Sequence, residues 1–413
     1  MPGEATQGEA QSVPAAVAQP EEQVVAAPVP TSLRDAPRAL TAHRTPLPAL
    51  TGLRFFAALH VIIFHTTIKT TLLARGHTYA GNFLSNGFLA VTLFFMLSGF
   101  ILAYNYRGQI ETRSHAVRFW EARYARIWPA YAFSLICSSI PLSGIPHWPV
   151  ALATLGMVQA WDPFHAAYAA AWNGVCWSLS VEALFYLVFP WLQTRIEKLR
   201  ISRLALFGLL VAFVAILCNT PNHNSGDRYS GLFFYVIIPI VHLPEFIAGT
   251  VLGNLFLDSK RTSAGPTAAK GKSAEKLESS RGSRRARFPV LTIIGFTTSI
   301  IVLCATRSRW ESLVVGTFSL LLYGLASERS ILGSFLSTRA LVLGGEISYS
   351  MYLLRTPLHT WINLSPVLGA SRVMSLLYIP FLLIPLSLMS YFLIEGPSRR
   401  GLRRLFATLQ GRA

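Results

Sequence analysis

Between Leu47 and Glu395 the chain repeatedly enters apolar stretches of the length a bilayer-crossing helix needs, about 20 residues. They fall at residues 48–68, 86–105, 127–143, 175–192, 203–219, 232–257, 289–305, 311–327, 340–358 and 373–395. A further run, Trp148–Ala160, is apolar but short, which predicts a re-entrant or tilted helix rather than a crossing. Composition excludes the other classes. Charged residues make up 13% of the 413, against about 25% in an average soluble domain. With 26 Phe, 14 Tyr and 9 Trp the chain is also far too aromatic to be disordered. An all-α polytopic membrane fold is expected, with about ten transmembrane helices plus one short helix.

The basic residues orient this array. Net charge is +17, from 36 Lys and Arg against 19 Asp and Glu. The excess collects at Arg107–Arg126, Arg195–Arg203, Lys260–Arg287 and the residues after Glu395. With ten spans and both termini in the cytoplasm, all four clusters fall on the cytoplasmic side. If Trp148–Ala160 were a full crossing, Arg195–Arg203 and everything after it would invert. Nucleic-acid binding is not expected, since the spans separate the basic segments and no binding module is visible. Residues 1–45, rich in Ala, Pro, Gln and Glu, read as a disordered tail without the charge and apolar pattern of a signal peptide. Residues 46–397 then form the membrane domain, with 258–288 a basic cytoplasmic loop and 398–413 a basic cytoplasmic tail. Cys137, Cys176, Cys218 and Cys304 lie far apart without metal-ligand spacing, so neither a disulfide framework nor a metal site is expected.

Ionisable groups inside spans are costly, and those that persist are candidates for function. The first span carries Arg54, His60 and His65. Arg54 and His65 are eleven residues apart, on one helical face and about 16.5 Å apart along the axis. That face offers a fixed cation near the cytosol and a titratable base deeper in, a polarity matching an acyl-CoA donor. An orientation charge and a packing histidine are the plainer readings of the same residues. His60 falls on another face and reads as structural. In Phe94–Ile101, Ser98-Gly99 could supply a nucleophile, but the flanks fit close helix packing better. Arg123 and Arg126 stand one turn apart at the cytoplasmic start of the third span. Two guanidiniums so placed suit bidentate phosphate recognition, or simply orientation. Glu182 is a carboxylate in an apolar span with Ser178 one turn before it, placed to orient or balance a histidine or arginine on another helix. Glu245, after His242, is a weaker case of the same kind. Tyr349 and Glu395 sit in polar motifs at the ends of the ninth and tenth spans.

Taken in order, these segments resemble the acyltransferase 3 family of integral membrane acyltransferases, which includes O-antigen and exopolysaccharide O-acetyltransferases. The resemblance covers about residues 47–397. It rests on Leu50-Thr51-Gly52-Leu53-Arg54 with His65, Phe94–Phe100, Arg123–Pro129, Trp177–Glu182, Ile347–Leu353 and Ile394–Pro397. It implies that Arg54 and His65 match the family's arginine–histidine pair, Arg123 and Arg126 its Arg-x-x-Arg motif, and Glu182 its carboxylate. Two positions depart from the family pattern. Arg355 stands where the family usually keeps a histidine before the Pro of the ninth span, and would bind an anionic group instead. Ala183 follows Glu182 where many members have a second Glu. Sixteen residues follow Pro397, so transfer is expected to be completed within the membrane domain.

The expected activity is O-acyl transfer, commonly acetyl, from cytosolic acyl-CoA to a hydroxyl of a surface polysaccharide, lipopolysaccharide or glycolipid in a bacterial cell membrane. A secondary metabolite such as a macrolide sugar is the competing acceptor. Arg54, Arg123 and Arg126 would hold the CoA phosphates. His65 would act as general base, with its ordinary pKa of about 6.5 near operating pH. Glu182 would orient it, and Ser98, Ser178, Tyr349, Arg355 and Glu395 would support donor or acceptor. No permanently bound cofactor is expected; acyl-CoA is a substrate. A transporter or flippase would use the same His, Arg and Glu for a proton path, but no two halves with matching interrupted segments are visible.

Overall fold

Pro48 stands first in helix α1 (Pro48–Phe64), where its missing N–H costs nothing and its fixed φ favours the opening turn. The computed structural model describes residues 44–66, 68–140, 146–162, 165–218, 238–264, 289–305, 313–364 and 377–411. Among them every regular element is helical. After α1 come α2 (Ile68–Ala74), α3 (Thr78–Ser85) and α4 (Ala90–Tyr106), the last two joined by one tight turn. Then follow α5 (Arg113–Ser139), α6 (Trp148–Leu155), α7 (Trp177–Ile196) and α8 (Ile201–Cys218). Next are α9 (Pro239–Ala264), α10 (Val290–Cys304), α11 (Val314–Ser327), α12 (Ile331–Leu336) and α13 (Arg339–Leu364). A single rod, α14 (Ile379–Leu409), ends the series.

Among the described residues each apolar run lies at least in part on a helix, but several bounds move. The expected basic loop at Arg107–Arg126 is helical from Arg113 onward, because Arg is a good helix former and Thr112 caps the start. The Thr112 hydroxyl accepts from the His115 backbone N–H at 3.3 Å. The expected tail at 398–413 is likewise helical as far as Leu409, and α9 runs to Ala264, into the expected basic loop. Residues 1–43, holding nearly all of the expected tail, and residues 265–288 lie outside the described residues. At eight residues α6 rises about 12 Å, too short to cross. Three helices are long and apolar enough to span a membrane by length and composition: Thr78–Tyr106, Pro239–Thr262 and Ile379–Leu409. Shorter apolar helices are Pro48–Phe64, Ile201–Val211, Val290–Cys304 and Val314–Ser327. α5, α7 and α13 are long too, but polar side chains such as Arg123, Glu182 and Glu346 dilute their apolar character.

Packing follows what lipid allows. Apolar side chains gain little by leaving lipid for one another, so helices associate through close fit and hydrogen bonds. A Cβ on Gly99 would lie 2.2 Å from the Phe246 carbonyl oxygen, so α4 and α9 touch backbone to backbone there. They run in parallel, since Arg107 at the end of α4 donates to the Asn254 carbonyl at 2.8 Å and pairs with Asp258 at 2.7 Å. Gly345 brings α13 onto α1 in the same way, its would-be Cβ 1.8 Å from the Thr51 carbonyl oxygen. The small-residue packing expected at Ser98-Gly99 is thus carried by Gly99. α1 is antiparallel to α4: Thr45 bonds the Tyr104 hydroxyl at 3.1 Å, whereas His60 Nε2 lies 2.7 Å from the Phe83 carbonyl oxygen near the opposite end. His60 also stacks on the Phe83 ring at 4.4 Å, the structural role expected of it. An aromatic core locks the centre, with Phe185 stacked on Phe246 at 4.6 Å and edge-on to Phe95 at 5.1 Å. Leu206, Leu209, Leu210 and Phe213 of α8, and Ile293, Phe296 and Ile301 of α10, face outward as an apolar surface suited to lipid. Cys176 is buried, and it, Cys137 and Cys304 are free thiols.

Gly345→Ala therefore separates α1 from α13 and should destabilise the detergent-solubilised protein by about 1–3 kcal/mol, read as a lower melting temperature. Gly316→Ala, with open space around the new methyl, should be neutral or stabilising by up to about 1 kcal/mol.

Candidate active site

Helical spacing delivers the polar residues of six helices to one cavity of about 540 Å³. α1 supplies Arg54 and α4 supplies Ser98. α5 adds Arg123 and Arg126, one turn apart. Ser178, Glu182 and Tyr186 follow one another at i, i+4 and i+8 along α7. From α13 come Glu346, Ser348, Tyr349 and Tyr352, and from α14 come Tyr391, Glu395, Arg399, Arg400 and Arg403. Six arginines thus face three glutamates across one concavity. Low-dielectric walls with an excess of one sign concentrate anions.

The carboxylates are already engaged. Glu182 Oε1 accepts from the Ser98 hydroxyl at 3.0 Å and from the Tyr186 hydroxyl one turn along its own helix. Glu395 accepts from Ser350, and Glu346 accepts from Tyr391 at 2.6 Å. The guanidiniums are not engaged to the same degree. Arg123 donates to the Tyr106 hydroxyl at 3.3 Å and lies over the Tyr106 ring at 5.6 Å, while its Nε is buried without a hydrogen bond. Arg54 and Arg126 make no hydrogen bond or ion pair among the described residues; the charges that act on Arg54 are Arg126, Glu182 and Glu395. Hydroxyls close the inner end. Ser178 Oγ and Tyr352 Oη lie 2.8 Å apart, and both reach the Val175 carbonyl, at 3.0 and 3.2 Å. Tyr349 ties the wall together by donating to the Ile127 carbonyl at 3.0 Å.

Of the residues singled out in the sequence, Arg54, Ser98, Arg123, Arg126, Ser178, Glu182, Tyr349 and Glu395 come together here. Two do not. His65 is exposed and outside the lining. α1 ends at Phe64, and His65 is its cap, with φ −86° and ψ 2°, so the helical phase that aligns it with Arg54 stops one residue short. Its ring rests against Phe64 at 4.8 Å. Glu182 accordingly bonds Ser98 and Tyr186, and its field acts on Arg54. Arg355, one turn beyond Tyr352, is buried with its Nη2 donating to Thr356 at 3.0 Å and its Nε without a hydrogen bond. It too is outside the lining. A second polar pair lies behind the wall. His242 Nδ1 is 3.1 Å from Glu245 Oε2, and Thr92 donates to Glu245 Oε1 at 3.1 Å. Among the described residues no three metal-type side chains gather as ligands. Sequence reasoning missed Tyr186, Tyr352, Tyr391 and the arginines of α14. The spacing of Arg399 and Arg403, four residues apart, was the available signal once the helix was known to continue.

Comparison with known proteins gives the family. The acyltransferase 3 family, described as "Acyltransferase domain", matches residues 47–395. "Acyltransferase MdmB" of Streptomyces mycarofaciens is 30% identical over 223 residues, covering 50% of this chain and 56% of that protein. "O-acetyltransferase OatA" of Staphylococcus aureus is 26% identical over 399 residues, covering 88% of this chain and 59% of that protein. "Putative peptidoglycan O-acetyltransferase YrhL" of Bacillus subtilis is 27% identical over 210 residues, covering 45% and 30%. The chain thus spans less than two thirds of the length of each of these relatives. No solved structure matches. The matched region carries nearly the whole lining of the basic cavity, from Arg54 to Glu395, and the chain belongs to the acyltransferase 3 family.

Proposed function

We propose that the protein is a multi-pass membrane O-acyltransferase that moves an acyl group, acetyl in the first instance, from cytosolic acyl-CoA to a hydroxyl of a carbohydrate acceptor. The observation that carries this reading is the single cavity in which Arg54, Arg123 and Arg126 stand largely unengaged beside a hydroxyl-bound carboxylate. Guanidiniums in that state suit phosphate, which accepts bidentate hydrogen bonds. Ten crossings with both termini in the cytoplasm put Arg107, Arg123 and Arg126 on the cytosolic side, where the donor is. The acceptor class follows the names of two relatives, an O-acetyltransferase and a putative peptidoglycan O-acetyltransferase. The acceptor we infer is a hydroxyl-rich surface polysaccharide, lipopolysaccharide or glycolipid at a bacterial cell membrane; of the two names, one specifies peptidoglycan.

In the step itself the acceptor oxygen attacks the thioester carbonyl carbon, the C–S bond breaks and the CoA thiolate leaves. His65 takes the hydroxyl proton, which then passes to the thiolate. His65 lies about 16.5 Å from Arg54 along α1, so the donor is held by its phosphates at one end and extends its acyl arm toward the other. Glu182, fixed by Ser98 and Tyr186, balances Arg54 and keeps its guanidinium directed into the cavity. Tyr349, Ser178 and Glu395 shape the wall along which the arm runs. Arg355, outside the cavity lining, would bind an anionic acyl or acceptor group.

His65→Ala should abolish transfer while the protein stays in the membrane. The measurement is mass spectrometry of surface glycans and lipids from cells carrying wild type or variant, seeking an acetyl mass increment. Near-normal transfer by the variant would overturn the role of His65. Release of free CoA thiol only when acceptor is present separates transfer from transport. Tyr186→Phe with Ser98→Ala strips Glu182 of both partners. Hydrogen bonds to a charged group are worth about 1.5–3 kcal/mol, so turnover should fall at least about tenfold. Unchanged turnover would remove the Ser98 and Tyr186 hydrogen bonds to Glu182 from the mechanism.

A further inference from the structure

The family match ends at residue 395, yet α14 continues unbroken to Leu409 and turns its next arginines into the cavity. At Glu395 and Gly396 the backbone stays helical, with φ/ψ of −62°/−50° and −61°/−54°. Glu395, Arg399 and Arg403 therefore follow one another at i, i+4 and i+8 along one face. Below them the same face docks on α5. The Phe406 ring meets the Tyr124 ring at 6.4 Å, and Gln410 bonds Glu121. Leu405 and Leu409 remain exposed, on the sides of the helix turned away from that contact.

The docking brings like charges together. Arg123 and Arg126 act electrostatically on both Arg399 and Arg403. Among the described residues neither Arg399 nor Arg403 makes a hydrogen bond or ion pair. The cavity's three carboxylates offset only part of this charge: Glu395 acts on Arg399 and Arg126, and each carboxylate also accepts from a hydroxyl. Four guanidiniums from two helices, with their N–H groups largely unspent and one Nε buried without an acceptor, form a site built for more than one phosphoryl group.

We propose that the C-terminal part of α14 is the second wall of the donor's phosphate site, with Arg399 and Arg403 completing the pair formed by Arg123 and Arg126. This rests on the acyl-CoA reading and deepens it: the donor has to carry both a diphosphate and a further phosphate, as coenzyme A does. An acyl chain presented on a single phosphodiester would leave half of the guanidiniums unanswered. The segment beyond the family match thus sets which donor is accepted.

The test is titration of the purified full chain, in detergent, with CoA and with dephospho-CoA by calorimetry, over a range of salt. In Arg399→Ala/Arg403→Ala the affinity for CoA should fall about tenfold to hundredfold and the salt dependence should flatten. Arg404→Ala, exposed like Arg403 but outside the cavity lining, should stay within about twofold. If the double alanine variant loses its melting transition, Arg399→Lys/Arg403→Lys replaces it. This variant keeps the charge but not the bidentate fork, and should still bind CoA several-fold more weakly. CoA binding by wild type with unchanged affinity in the double variant overturns this proposal and leaves the acyl-CoA reading standing. No CoA binding by wild type overturns both. Weakened binding to phosphatidylglycerol vesicles, with CoA affinity unchanged, would assign the two arginines to a lipid headgroup and also overturn it.

Discussion

A guanidinium or carboxylate on a helix surrounded by lipid has to find water, a partner or a ligand, because the hydrocarbon offers none. The arrangement of α1, α4, α5, α7, α13 and α14 answers that demand. Each turns its polar stripe inward to one cavity and leaves apolar side chains outside. The carboxylates meet their need locally, through Ser98, Tyr186, Tyr391 and Ser350. The arginines largely do not, and this asymmetry gives the cavity its sign. A basic concavity opening beside helix ends rich in Arg is an electrostatic funnel for polyanions, and its strength should decline with ionic strength.

Such a cavity has to be walled by helices that do not move apart. Gly99 against Phe246 and Gly345 against Thr51 provide backbone contact where side chains would hold the helices off. The contacts also set register. Ser98 precedes Gly99 and meets Glu182 of α7, while Gly99 faces α9. Glu346 follows Gly345 and meets Tyr391. The packing residue and the chemical residue are neighbours in sequence but face different helices: the glycine lies against one, and the residue beside it, about 100° round the helix, bonds to another.

Much of this was legible from residue order. Long apolar runs located the helices, and the cost of burying charge marked Arg54, Arg123, Arg126 and Glu182, all of which reach the cavity. What escaped has physical causes. His65 was placed by extrapolating a helix that in fact stops at Phe64, and periodicity carries no notice of its own end. Arg399 and Arg403 follow a span and look like orientation charges; only the docking of Phe406 and Gln410 on α5 brings them to the cavity wall, Arg399 half-buried and Arg403 exposed at its rim. Tyr186 and Tyr352 are ordinary aromatic residues of apolar helices until a partner on the same or a facing helix gives each hydroxyl a use. Arg355, read as a site residue, stands one turn past the cavity, a difference of a few ångströms that spacing along one helix does not resolve.

The inner end of the cavity differs in kind from its walls. Ser178, Tyr352 and the Val175 carbonyl hold it shut with neutral hydrogen bonds, each worth about 1 kcal/mol net, whereas steric contacts at glycine cannot be exchanged for anything. Frame and floor therefore have separate stiffness. The helix frame is fixed by backbone contact, whereas the two hydroxyls can exchange partners by side-chain rotation alone.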